Sequence, residues 1–195
     1  MEQNMSIFLF YKKYITKYST GRILISLLIM TWIVFGYMIA FSIPQIMEYA
    51  DGMELLDLKP LGYSHNYVQV LFEKLGNEGR HLYLTYQIPI DMIYPILFAL
   101  CYSILTVYLF DKIKSSEKLI FVFSLIPVIA GMFDYLENIG IIIMLKSYPD
   151  ISSGMSLTTS IFSIGKSSFT TVFWLLLIYA LLILSIKYFK NTQKN

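Results

Sequence analysis

The chain has 195 residues, 56% of them hydrophobic and 14% charged, with a formal net charge of +2. Soluble domains carry about 25% charged residues, so this balance points to a polytopic membrane protein, and the small net charge argues against a nucleic-acid partner. One cysteine, Cys101, excludes an intrachain disulfide and a thiolate metal cage.

Residues 1–22 form a basic arm with Lys12, Lys13, Lys17 and Arg22 against Glu2. Its apolar and aromatic stretch at 7–14 is compatible with a helix lying on a membrane surface or with a frayed tail. Residues 23–43 carry no charge and are long enough, at about 31 Å, to cross a bilayer. No small-residue cleavage site follows, so an uncleaved first span is expected. Gly36 offers a close helix contact, and Pro44 is expected to end the span.

Residues 44–81 are the longest polar segment and are expected to face outward. Val68, Leu71, Phe72 and Leu75 recur at the helical period. Ser64 serves as an N-cap and Gly76 as a stop. A short amphipathic helix capping the bundle or lying on the outer leaflet is expected there, followed by a tight turn at 77–79. His65 reads as a solvated cap neighbour.

The second span is expected at 82–110, with Pro89 and Pro95 kinking it and Asp91 between them. The third is expected at 119–144 and the fourth at 161–186. The arm, the 111–118 turn and the C-terminal tail hold most of the lysines, so the positive-inside rule places both termini in the cytoplasm of a cell-membrane protein. The expected architecture is all-α: a single membrane domain over 1–195, a four-transmembrane-helix bundle with an outer amphipathic helix.

The third span contains Asp134, Glu137 and Asn138, which share one helix face. A charge at such depth costs about 2.5–3.5 kcal/mol on insertion scales and usually faces the bundle interior. Counting residues from the expected span ends puts Asp91, Asp134, Glu137 and Lys166 in one slab, with Arg80 and His81 above it. Three carboxylates against Lys166 leave a surplus of negative charge. It is relieved by protonation, by Arg80 reaching down, or by a bound cation held with the aromatic faces of Tyr94, Tyr102 and Tyr135. Against this stands plain helix-locking by buried pairs and by Asn138, and for Lys166 snorkelling to the outer interface is the stronger expectation.

The candidate ligand- or proton-binding residues are thus Asp91, Asp134, Glu137, Asn138, Tyr94, Arg80 and Lys166. No catalytic residue is assigned. No Gly-x-Ser-x-Gly, His-Glu-x-x-His or phosphate-loop motif is present, and two histidines cannot build a multi-histidine metal site, so no metal or cofactor is expected. Ser163, Ser167, Ser168, Thr170 and Thr171 read as helix-interface residues. The expected partners are the lipid bilayer and a small cationic or lipid-like ligand. A structural or interaction protein and a small lipid-modifying enzyme are the alternatives.

The succession Asn77-Glu78-Gly79-Arg80, Asp91-x-x-x-Pro95 and Phe133-Asp134-Tyr135-Leu136-Glu137-Asn138 resembles a family of small four-span bacterial membrane proteins. That family has no assigned activity, so the resemblance implies an order of elements and no function. A looser topological analogy links the chain to the four-span EXPERA proteins, the sterol-isomerase and sigma-2-receptor group, whose intramembrane carboxylates hold cationic or sterol-like ligands. It carries no residue over.

Overall fold

A computed structural model describes residues 21–192; the 7–14 stretch lies outside them. The described residues are all-helical, with no strand. Four helices are long and apolar enough to cross a membrane: α1 (Gly21–Glu48), α2 (His65–Lys112), α3 (Glu117–Ser147) and α4 (Ser153–Thr192). Helix α3 packs along both α2 and α4, whereas α1 leans mainly on α2. The first and last helices therefore leave a gap between them.

Pro44 does not end α1. The helix passes into a π turn at Met38–Ser42 and resumes at Ile43–Glu48. The Ile43 amide bonds the carbonyl of Met38, five residues back. A proline lacks an amide and crowds the carbonyl four residues before it; the wider turn lets the chain absorb Pro44 and continue. The same device recurs in α2, where a π turn at Tyr83–Gln87 precedes Pro89. The two π turns touch, and the buried Ser42 hydroxyl donates to Gln87 Oε1 at 2.6 Å. Gly36, expected at a close contact, has nothing within 4 Å of where a Cβ would stand, because that face of α1 has no neighbour.

The amphipathic segment caps the bundle. Ser64 Oγ accepts the Tyr67 amide at 3.1 Å, satisfying one orphan donor of the helix start. Val68, Leu71, Phe72 and Leu75 are buried in one cluster with Ile46, Ile141 and Met144. Gly76 breaks the helix with φ 59°, a left-handed conformation that glycine tolerates without steric cost. No separate turn forms at 77–79; the one glycine makes the whole bend, and the helix resumes at once.

Between α1 and α2 the chain folds back under this cap. Leu55 and Leu56 are fully buried, and a 3₁₀ turn covers Leu56–Leu58. Serines of α4 hold the returning segment. Ser163 Oγ donates to the Lys59 carbonyl at 2.9 Å, Ser160 Oγ accepts the Tyr63 amide at 2.8 Å, and Ser156 Oγ lies 2.9 Å from His65 Nδ1. His65 is therefore tied to α4 and is not simply solvated.

Candidate functional site

The second proline of α2 shapes the site. Pro95 has no amide to offer the Asp91 carbonyl, and the helix breaks at Met92 and Ile93. Side chains of α3 take the released carbonyls. Tyr135 Oη donates to the Met92 carbonyl at 2.7 Å, and Asn138 Nδ2 lies 3.4 Å from the Asp91 carbonyl. Backbone left unpaired in an apolar interior is costly, so this gives Tyr135 and Asn138 a structural role. Gly131 lets the helices approach here: a Cβ on it would stand 3.0 Å from the Pro95 carbonyl oxygen.

The break turns the Asp91 side chain inward, where it is 3% exposed. Asp134 faces it from α3. Both line a cavity of about 190 Å3, walled by Phe35 and Met38 of α1, Tyr94 and Phe98 of α2, Ala130 and Gly131 of α3, and Lys166, Ser167 and Thr170 of α4. Lys166 bridges two carboxylates of α3: its Nζ lies 3.3 Å from Asp134 Oδ1 and also pairs with Glu137 Oε2. Glu137 is fully buried and lies behind the lysine, outside the cavity wall.

A third aspartate completes the cavity, one that sequence reasoning did not place there. Asp57, from the 3₁₀ turn, lines the same wall. Tyr83 Oη donates to its Oδ2 at 2.8 Å. Its Oδ1 is buried with no hydrogen-bond partner, as is Asp91 Oδ2. The residue is half-buried as a whole, but its carboxylate end is enclosed. Burial pushes the Asp57 carboxyl above its ordinary range, with Lys166 opposing. The only faint sequence signal was a lone acid flanked by leucines at 55, 56 and 58.

The sign of the resulting pH dependence is fixed. An acid whose folded-state pKa is raised gives stability that is complete below the unfolded pKa, about 3.9 for aspartate, and is lost as pH climbs through the raised value. A carboxamide in its place cannot ionise, yet its oxygen still accepts the Tyr83 hydroxyl. Asp57→Asn is therefore expected to lose less melting temperature than wild type between about pH 4 and pH 8. Identical thermal profiles across that range would refute the placement of Asp57.

Of the seven candidate residues, Asp91, Asp134, Tyr94 and Lys166 line the cavity, Glu137 reaches it through Lys166, and Asn138 serves the helix break. Arg80 does not reach down. Its guanidinium donates to the Phe72 carbonyl and to Asn77 Oδ1, each at 2.5 Å, and lies 4.2 Å from the Tyr148 ring centre. The bend at Gly76 leaves last-turn carbonyls of the cap helix unpaired, and Arg80 is drawn to one of them. Lys166 does not snorkel: its side chain is 17% exposed and held by two acids. Tyr102 lines a second cavity, also about 190 Å3, with Thr31, Trp32 and Trp174. No protein-family model, curated protein or solved structure matches the chain.

Proposed function

We propose that the chain is an integral protein of the cell membrane, a four-span bundle with an outer cap, that binds a small cationic or amphipathic ligand at this buried carboxylate cluster. The four apolar helices support the membrane assignment, and the lysine distribution supports termini on the cytoplasmic side. The observation that carries the ligand reading is the excess of carboxylates over cations lining the cavity. Aspartates from three separate elements line it, and Lys166 already serves the pair on α3, so Asp57 Oδ1 and Asp91 Oδ2 keep no hydrogen-bond partner. Buried charge of this kind asks for a counter-charge. Among the described residues no three His, Cys, Asp or Glu side chains are grouped to hold a metal ion, which favours an organic ammonium. A proton alone would need no cavity, and this one has room for several water-sized groups.

Helix-locking accounts for part of the cluster, since Lys166 ties α3 to α4. It does not account for Asp57 and Asp91, which form no ion pair among the described residues. Ethylammonium titrated onto the protein in lipid nanodiscs is expected to raise its melting temperature. Asp91→Asn is expected to abolish that rise while leaving the unliganded protein folded. A folded Asp91→Asn protein with an undiminished rise, or a wild type that ethylammonium does not stabilise, would overturn the reading.

A further inference from the structure

The charged cavity does not end at the aspartates. Phe35, Tyr94 and Thr170 wall it and also wall the second cavity, so the two are neighbours across shared side chains. The second is lined by no charged residue; its wall is largely aromatic, with Trp32, Tyr102 and Trp174 beside the shared Phe35 and Tyr94. From Tyr94 to Tyr102 on α2, and from Lys166 to Trp174 on α4, the wall runs eight residues, or about 12 Å. Each cavity is about 190 Å3, and only together do they reach the range of about 300–1,000 Å3 usual for a small-molecule site. Both are walled by α1 and α4, two long helices that do not pack closely on each other, and Trp32 of α1 is 52% exposed.

We infer that the ligand is a single-chain amphiphilic amine, its ammonium among Asp57, Asp91 and Asp134 and its alkyl chain along the groove of Trp32, Tyr102 and Trp174. The inference rests on the proposed cation site and adds the tail and the route. Charge and geometry assign the two ends of the ligand separately. The unpartnered, 3% exposed Asp91 points into the charged end, and aromatic rings near an ammonium add cation–π attraction. The other end is lined by no charged side chain, so nothing there would pair a second ionic headgroup. Access is sideways, through the gap between α1 and α4, so the ligand arrives from the apolar phase tail and head together.

The test compares decylammonium, ethylammonium and decanol on the full chain in lipid nanodiscs, read as the rise in melting temperature. Decylammonium is expected to act at a concentration about tenfold or more below that of ethylammonium, the span of roughly 1.4 kcal/mol. Decanol, which partitions into lipid without a charge, is expected to give no saturable rise. In Thr170→Trp, which fills the junction of the two cavities, the advantage of decylammonium over ethylammonium is expected to shrink to about twofold or less. If ethylammonium stabilises the protein and decylammonium does so no better, the tail assignment is wrong and the cation site stands. If neither stabilises it, both are wrong. An equal saturable effect of decanol would also overturn the inference. The chain-length comparison needs no variant, so it decides even where Thr170→Trp does not fold.

Discussion

Lys166→Met is expected to lower the unfolding free energy by about 3–5 kcal/mol, the usual cost of stranding one side of a buried ion pair. The side chains of Asp134 and Glu137 are 7% and 0% exposed, so neither recovers its lost partner from solvent. Methionine keeps most of the lysine stem's length and apolar contact, which isolates the charge. Adding Glu137→Gln to Lys166→Met is expected to restore part of the loss, because a neutral carboxamide is far cheaper to bury. Asp91→Asn alone should be neutral or stabilising without ligand, since no lysine contacts it. Equilibrium unfolding in mixed micelles measures all of these. A change under about 1 kcal/mol for Lys166→Met would mean that the bridge is solvated and that the cavity is not the enclosed site described.

Gly140→Ala is expected to destabilise by about 1–3 kcal/mol, the range for overpacking a close contact. Intrinsic helix propensity alone would favour alanine by up to about 1 kcal/mol, so the sign tests the packing. A Cβ on Gly140 would overlap Thr159 Oγ1 and stand 2.6 and 2.9 Å from Thr159 Cγ2 and Cβ. Thr159 cannot easily turn away: it is β-branched, and its hydroxyl donates to the Met155 carbonyl at 2.9 Å. Thr159→Ala should rescue part of the loss. Gly36→Ala, with open space around it, should stabilise instead. Thermal denaturation of the three variants reads the comparison. A Gly140→Ala protein as stable as Gly36→Ala would show that α3 and α4 are not in close contact at this level.

The four long apolar helices were legible because hydropathy and the helical period are local properties of sequence. So was the inward face of Asp134 and Glu137, since residues three apart share a face wherever the helix sits. The apolar face of the cap helix was legible for the same reason. Lys166 was misjudged because α4 begins at Ser153, earlier than the apolar run suggests. That puts the lysine about 20 Å from the helix start, where Asp134 and Glu137 of α3 hold it. Asp57 was missed because nothing within the 49–64 segment says which way it folds. Its position is set by Ser160 and Ser163, far along the chain on α4, and by Tyr83, contacts that exist only once the helices have packed. Arg80 was drawn toward the site by charge arithmetic, whereas a nearer unpaired carbonyl claimed it.

The π turn at Met38–Ser42 gives α1 two helical phases. Each such turn inserts one residue beyond the α repeat, which rotates everything before it by roughly 100° relative to everything after. The stretch from Ile43 to Glu48 sets its apolar side chains by the cap, while the stretch from Gly21 to Tyr37 keeps its own heading. Phe35 and Trp32 therefore owe their aim to an insertion and not to the hydrophobic repeat. A single continuous helical wheel drawn through residues 21–48 cannot put Phe35, Ile43 and Ile46 on their true sides together.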